Sequence, residues 1–307
     1  METMIRIAGT EIPIHTMQWI SENGEKASAL SCSFPVLFYQ PTEGQKIELA
    51  VGGQGCFSGY IFSISATETE CTVHAYDQLR YLMFKDSYVF SQKTLGEIVE
   101  TIAKDMGLNL GTIGRGAYAM DLVAEDKKLL DIIQKAIQLE REQTGIDWFF
   151  MDDLGEITLI QKDELILDIV LSENSLLEGY QYQHSINEDT FNRVKLARKS
   201  KKKGTRIVTI QQQEGSMDEW GTLQYYEKVD EKLTTAQVQA MARTILNQKA
   251  RPTRNIILRG IGEPLCRAGY TISVQTDAVT AICTIERAIH AWRNGAYRME
   301  LYASVQE

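Results

Sequence analysis

The chain has 307 residues, enough for two or three domains, and its 44% hydrophobic and 24% charged residues are ordinary for a folded protein. Its 32 Lys and Arg against 41 Asp and Glu give a formal charge of −9, which argues against a dedicated nucleic-acid-binding surface, because such surfaces usually carry a basic excess. No stretch approaches the roughly 18 consecutive apolar residues of a membrane span, and Glu2 stands where a signal peptide would be basic, so we expect neither membrane insertion nor Sec export.

The five cysteines are an odd number and show no C-x-x-C spacing. They predict reduced thiols in a cytosolic setting rather than a disulfide framework or a zinc site. Because the sequence also lacks clustered His, Cys and carboxylate spacing, we expect no metal ion and no organic cofactor at a specific site.

The first segment, residues 1–88, has the pattern of short strands. Residues 46–51 alternate polar and apolar side chains, residues 52–55 have turn glycines, and residues 56–65 and 70–76 continue as strands. Strands at this spacing are typical of a small barrel or sandwich. The segment is predicted to be a β-barrel domain.

The middle segment, residues 89–176, changes to helices and a hairpin. Thr94 and Glu97 have the spacing of a capping box, which predicts a helix that ends at Gly107. A second helix is predicted from about residue 127 to residue 144, because apolar side chains recur there at helical spacing. Two strands around an Asp-Asp-Leu-Gly turn follow, so this segment is predicted to be a small α/β domain.

The last segment, residues 177–307, returns to strands. One helix interrupts them at about residues 235–250, and three strands near residues 270–274, 279–292 and 297–303 complete the pattern. The predicted fold class is therefore mainly β with an α/β insert, in which two β-barrel-like domains flank a small α/β domain.

No motif for catalysis stands out along the chain. The four histidines lack the H-x-x-x-H and H-E-x-x-H spacings of metal sites, so each is interpreted as a packed or solvated side chain; they are His15, His74, His184 and His290. No G-x-S-x-G elbow and no cysteine motif marks a nucleophile. A triad formed only in space stays open, because triads are recognised by geometry.

Glycines and carboxylates have structural interpretations as well. Residues 52–55 and 111–116 lack the ending of a P-loop and the context of a dinucleotide motif, so they are predicted to be turns or flexible loops. Asp152 and Asp153 are interpreted as turn residues, and Glu140 as a solvated side chain on a helix. The residue pattern names no catalytic, cofactor-binding or metal-binding residue.

A basic run, KSKKKGTR at residues 199–206, is the one local anomaly of charge. Because it lies between two strand-like stretches of an acidic chain, it is predicted to be the exposed tip of a hairpin. A binding patch is the alternative interpretation.

The order of several weak patterns is more specific than any one of them. Strand, turn and helix patterns at residues 74–82, 129–136, 187–194, 260–269 and 285–291 follow one another along nearly the whole chain. This succession resembles the baseplate hub proteins of contractile phage tails, of the XkdQ/YqbQ type found in defective prophages of Gram-positive bacteria. Late-control D proteins and the N-terminal hub part of type VI secretion spike proteins are similar in outline.

The resemblance implies a structural protein of a virion tail baseplate or of a phage-tail-like particle such as a bacteriocin, with no catalytic residues. It implies a homotrimeric ring whose axial channel adapts the six-fold tail tube to the three-fold spike. The expected partners are the spike protein, the tail tube or its initiator, LysM-type and wedge baseplate proteins, and the tape measure protein. Specific nucleic-acid binding is not expected.

Three such chains would carry a formal charge of −27 around one axis. If acidic side chains line the channel, DNA would be repelled from its wall and would pass without sticking. The basic run at residues 199–206 would then face a partner or solvent rather than the channel.

Two other functions remain as alternatives. A tail-associated peptidoglycan hydrolase would bring His, Cys or Glu side chains together in one cleft. A cell-wall carbohydrate-binding module would present exposed aromatic side chains on one face. Neither accounts for the predicted order of barrel, α/β domain and barrel.

Overall fold

The computed structural model describes residues 2–187, 189–200 and 205–306. In these residues the chain forms 21 strands, four α-helices and two short 3₁₀ helices. None of the helices in this part of the chain is long and apolar enough to cross a membrane. The chain divides into two compact units, which we call the main unit (Met1–Gln181 with Ile256–Glu307) and the inserted unit (Tyr182–Asn255).

The first strands of the main unit pair antiparallel in the order β3-β4-β7-β6-β5-β1-β2. They are β1 (Thr3–Ile7), β2 (Thr10–Ile12), β3 (Thr16–Glu22), β4 (Ala29–Pro35), β5 (Lys46–Val51), β6 (Gln54–Ala66) and β7 (Glu70–Tyr76). The predicted alternation is clear in β5, which buries Ile47, Leu49 and Val51. The strand predictions for residues 46–51 and 70–76 are confirmed.

The middle of the main unit combines helices with small sheets. Its elements are a 3₁₀ helix (Gln78–Met83), β8 (Lys85–Lys93), α1 (Leu95–Asp105), β9 (Leu110–Ile113), β10 (Met120–Lys128), α2 (Leu129–Thr144), β11 (Trp148–Asp152), β12 (Ile157–Gln161) and a second 3₁₀ helix (Lys162–Glu164). Strands β8 and β10 pair with each other, and β9, β12 and β11 form a three-stranded sheet. The predicted capping box of Thr94 and Glu97 begins α1, and Gly145 ends α2 with a φ of 75°.

The remaining elements return to strands. They are β13 (Ile166–Ser172), β14 (Leu177–Ser185), β15 (Arg193–Lys199), β16 (Arg206–Gln212), α3 (Glu214–Trp220), β17 (Gln224–Lys228), α4 (Thr235–Lys249), β18 (Thr253–Ile261), β19 (Thr271–Gln275), β20 (Thr280–Arg293) and β21 (Ala296–Val305). Strand β20 pairs with β3 through seven residues on each strand, so strands from the two ends of the chain belong to one continuous sheet.

The inserted unit has its own sheet and core. Its strands are ordered β16-β15-β17, and α4 packs on one face of them through Val194, Leu196, Val238 and Ala242. The helix predicted at about residues 235–250 is confirmed as α4, within a unit that also contains three strands. Four residues of the basic run, 201–204, lie outside the described residues.

The predicted fold class, mainly β with an α/β insert, is confirmed. Two separate apolar cores support this organisation inside the main unit: one among strands β1 to β7, and one that holds α1 and α2 against the middle sheets. The division into segments 1–88, 89–176 and 177–307 stays a prediction, as does a barrel at each end.

Candidate functional site

The cysteines are packed inside the protein. All five are free and buried. Burial raises the pKa of Cys32 and Cys266 to about 12 and that of Cys56 and Cys283 to about 11. A thiol with such a pKa is protonated at neutral pH and is a poor nucleophile. In residues 2–187, 189–200 and 205–306, no group of three or more His, Cys, Asp or Glu side chains could hold a metal ion.

The histidines have separate environments. His15 contacts Glu70 at 3.2 Å on the surface, and the exposed His184 stacks edge-on against Tyr182. His290, by contrast, is fully buried in β20. Of these histidines, His290 is the one whose burial requires hydrogen-bond partners for both ring nitrogens.

The contacts of His290 assign its tautomer. Its Nε2 lies 3.0 Å from the carbonyl oxygen of Cys266, which can only accept, so Nε2 carries the hydrogen. Its Nδ1, 2.9 Å from the hydroxyl of Tyr297, then accepts a hydrogen bond, and the ring stacks on Trp19 at 4.7 Å. Burial lowers the pKa of His290 to about 4. The ring is a neutral packing element with both nitrogens bonded.

Asp77 is a buried carboxylate at the start of the 3₁₀ helix that follows β7. Its Oδ1 accepts from the Leu79 backbone N–H at 3.0 Å, and its Oδ2 accepts from the Ser28 N–H at 2.9 Å. Burial, reinforced by the carboxyl group of Asp152, raises the pKa of Asp77 well above its ordinary value. Such a group beside a cavity is a recognised signature of a functional site.

Asp152 and Asp153 shape the turn after β11, as the sequence predicts for that position. Asp152 accepts from the Gly155 N–H at 2.6 Å and from both the backbone and side-chain N–H groups of Gln78. Asp153 forms an ion pair with Arg267 at 3.0 Å. These contacts join the turn after β11 to the 3₁₀ helix that follows β7 and to the loop before β19.

The size of the adjacent cavity argues against chemistry at this cluster. Trp19, Asp77, Asp152 and Arg267 line a space of about 30 Å³, which holds about one water molecule. All four carboxylate oxygens of the two aspartates accept hydrogen bonds from the protein itself. Asp77 and Asp152 are therefore explained as buried polar side chains that hold neighbouring segments together through hydrogen bonds.

Glu140 corrects one sequence interpretation. It is not a solvated side chain on the surface of α2: it is fully buried. Its Oε1 accepts from the Ala117 N–H at 2.7 Å and its Oε2 from the Tyr118 N–H at 3.1 Å. The backbone N–H groups that follow the glycine-rich residues 111–116 therefore bind the carboxylate of Glu140 and not a phosphate of a ligand.

The two glycine-rich segments are explained by backbone geometry. Gly52 and Gly53 make the turn between β5 and β6 with φ angles of 58° and 82°. Gly114 lies so close to Trp148 that a Cβ atom there would overlap the indole ring. The first segment therefore forms the predicted turn. The prediction of a turn or flexible loop for residues 111–116 is wrong for residues 111–113, which belong to β9, and Gly114 just after them permits close packing on Trp148.

Several open apolar positions are the features that sequence reasoning missed. Exposed large apolar residues occur on the loop after β4, on the β8–β10 ribbon, on β13 and β20, and on β16 and β17; among them are Leu37, Phe38, Val89, Val123, Ile166, Val170, Ile282, Val208, Ile210 and Tyr226. The alternation of side chains along a strand assigns them to two faces of the sheet, but it does not show which face is covered by another element. The exposure of these apolar residues therefore could not be predicted. Open apolar sheet faces are typical of surfaces that bind other proteins.

Comparison with known proteins gives this arrangement a family. The family model described as YQBQ-like matches residues 17–304. YqbQ of Bacillus subtilis (strain 168) is 30% identical over 270 residues, which cover 86% of this chain and 82% of that protein. The phage-like element PBSX protein XkdQ of the same organism is 28% identical with the same coverage.

Solved structures show the same fold at low sequence identity. The 43 kDa tail protein of prophage MuSo2 from Shewanella oneidensis matches with a TM-score of 0.72 at 14% identity, covering 99% of this chain and 98% of that one. The E. coli c3393 protein, a component of the type VI secretion system with structural similarity to T4 tail proteins gp27 and gp5, matches with a TM-score of 0.62 at 12% identity, covering 99% and 77%. The chain belongs to the YqbQ-like family and has the fold of phage tail proteins.

Proposed function

We propose that this chain is a structural hub protein of the baseplate of a contractile phage tail or phage-tail-like particle. The observation that carries the proposal is the match to a prophage tail protein over nearly the full length of both chains. The relationship to a protein of the phage-like element PBSX supports a prophage origin. The likeness to a type VI secretion component with similarity to gp27 and gp5 supports a position near the spike.

The hub is a homotrimeric ring around an axial channel. A trimer matches a six-fold tube only if each chain offers two similar parts, and the strand-rich segments 1–88 and 177–307 are the candidates for two such β-barrels. Pairing or covering strand edges between neighbouring chains also hides backbone groups that otherwise invite aggregation. The ring thereby adapts the tube to the three-fold spike.

The role is structural rather than enzymatic. Protonated buried thiols, a neutral packed His290 and aspartates whose four carboxyl oxygens each accept a hydrogen bond from the protein support this assignment. The partners are the spike, the tail tube or its initiator, and the other baseplate proteins, with assembly in the cytoplasm of the host. No metal ion or organic cofactor takes part.

Electron cryomicroscopy of the assembled particle tests the proposal. We expect three copies of the chain in a ring between tube and spike, with segments 1–88 and 177–307 superposing as six barrels around the channel. A different copy number, or a chain located away from the tail axis, would contradict the hub function. Clearing of peptidoglycan by the purified chain would contradict the non-enzymatic role.

A further inference from the structure

The formal charge of the chain is divided unevenly between its two units. Residues 182–255 contain 14 Lys and Arg and eight Asp and Glu, a formal charge of +6. The rest of the chain contains 18 Lys and Arg and 33 Asp and Glu, a formal charge of −15. The inserted unit of this acidic protein is therefore basic. Several of its Lys and Arg side chains lie on one face of its sheet.

One face of the inserted unit's sheet is basic and apolar. Helix α4 packs against Val194 and Leu196, so the side chains that alternate with these two residues point to the opposite face. The strand register places Ile210 and Tyr226 on either side of Lys195. We call this surface the basic face; it consists of Arg193, Lys195, Lys199, Arg206, Val208, Ile210, Tyr226 and Lys228.

Among the described strand positions, the basic face has an open apolar centre and no acidic residue. Val208, Ile210 and Tyr226 are 45%, 40% and 45% exposed. The other strand positions in the same rows are Ala197, Gln212 and Gln224, which are uncharged. Such a surface suits a partner with an apolar patch and an acidic rim.

The main unit presents a surface of the opposite kind. On neighbouring strands β13, β19 and β20, the register aligns Val170, Ser273 and Ile282 in one row. Ile166, Val170 and Ile282 are 67%, 52% and 53% exposed. We call this surface the acidic groove; it consists of Asp147, Asp163, Ile166, Asp168, Val170 and Ile282.

The acidic groove also has the room and the charge for docking. Part of it forms an open space of about 540 Å³ whose lining includes Asp147, Asp163, Ile166 and Ile282. Lys162 is the one cation among the described residues that line this space, and Asp147 is paired with Arg141 outside the lining at 3.6 Å. An open apolar row bordered by carboxylates is the complement of the basic face.

We infer that the basic face of one copy of this chain docks in the acidic groove of the next copy. Two different but complementary surfaces make a heterologous interface, which closes into a ring when the rotation between copies allows it. Closure at three copies rests on the proposed hub function. Because Lys199 and Arg206 belong to the basic face, the ends of the basic run lie in this interface and not in the channel.

Cross-linking in assembled particles tests the interface. The double variant Val208→Cys with Ile282→Cys places one thiol in each surface, and the five native cysteines are buried. With a short bismaleimide we expect covalent dimers and closed trimers on a denaturing gel. The matched control is Val208→Cys with Val123→Cys, which uses an exposed main-unit position outside the groove and is expected to give single chains.

The outcomes separate this inference from the hub function. Three copies per particle with only single chains on the gel overturn the interface and leave the hub function intact. A copy number other than three contradicts the hub function whatever the gel shows. Should the cysteine variants fail to enter particles, a reconstruction of the unmodified baseplate decides: Val208 of one copy must lie in contact with the groove of its neighbour.

A charge exchange tests the electrostatic part. Lys195→Glu, made on the V208C/I282C background, is expected to lower the cross-linked fraction by about tenfold, because it removes an attraction and adds a repulsion. Adding Asp168→Lys restores the opposite signs and is expected to recover most of the yield. An unchanged yield in the first variant, or no recovery in the second, would contradict the pairing of these two surfaces.

Discussion

At the scale of single residues, His290 links the packing of the main unit to pH. The folded state holds the pKa of His290 at about 4, against an ordinary value of 6.5. Between these values the unfolded chain binds a proton that the folded chain does not, so acid favours unfolding. Because the folded pKa is the lower one, this contribution to stability is present at neutral pH and is lost as the pH falls from 6.5 toward 4.

We therefore predict that acid destabilises the native chain more than its His290→Gln variant. Between pH 7 and pH 5 the imidazole accounts for a loss of about 2 kcal/mol in the free energy of unfolding. Urea unfolding of both chains at the two pH values measures it. The raised pKa values of Asp77 and Asp152 act in the opposite direction in both chains, so they cancel in the comparison. Equal losses in the two chains would refute the assignment.

The buried carboxylate of Glu140 gives a second prediction. Glu140→Gln replaces one acceptor oxygen by an NH₂ group, which faces a backbone N–H instead of accepting from it. We expect a loss of about 1–3 kcal/mol in the free energy of unfolding. Glu142→Gln on the same helix is the matched control, because Glu142 is exposed and its amide replacement can still accept from Gln138. Similar losses in both variants would contradict the role of Glu140.

The contrast between these residues shows what the sequence can predict at this scale. The turn role of Asp152 follows from local chemistry, since Asp before Gly accepts backbone hydrogen bonds within the turn. The burial of Glu140 and the contacts of His290 with Cys266 and Trp19 do not, because each depends on a chain approach that local pattern leaves undetermined. Glu140 lies 23 residues from its backbone donor at Ala117.

At the scale of elements, replacing Thr by Ala is expected to have opposite effects on the stability of α4 at two positions, the N-cap Thr234 and the helix interior. The Thr234 hydroxyl accepts from the Gln237 N–H, and the Gln237 side chain accepts from the Thr234 N–H. We predict that Thr234→Ala costs about 1 kcal/mol of helix stability. Thr244→Ala, at an exposed position inside the helix, stabilises it by up to about 0.7 kcal/mol.

Amide hydrogen exchange along α4 measures both changes. Protection of the helix is expected to fall about fivefold in the first variant and to hold or rise in the second. Equal protection in the two variants would mean that the box does not stabilise α4. The readout is local, so it does not require the inserted unit to unfold together with the main unit.

Elements with strong local signals could be predicted, and those made by distant pairing could not. Helices α1, α2 and α4 follow from apolar periodicity with capping residues at the start of α1 and α4. The short helix α3 has no buried residue and so no apolar stripe to reveal it. The β8–β10 pair joins strands separated by two other elements, and its exposed Val89 and Val123 break the pattern of a polar outer face.

At the scale of the whole molecule, the distribution of charge predicts how a channel would be lined. The main unit carries a formal charge of −15, and three copies would bring −45 to the ring, whereas the inserted units would bring +18. DNA that crossed the proposed channel would be repelled by a wall of carboxylates and held by a wall of lysines. If the chain is the proposed hub and releases DNA, main-unit residues are therefore expected at the lumen and the inserted unit away from it.

We predict that a reconstruction of the assembled baseplate places main-unit carboxylates along the channel and the basic face of every copy outside it. The same arrangement predicts that Lys195→Gln leaves the potential of the lumen unchanged, since that side chain faces a neighbouring copy. An electrostatic map of the reconstructed channel checks the sign of the wall directly. A lumen lined by Lys195, Lys199 or Lys228 would contradict both the repelling channel and the docking of copies through the basic face.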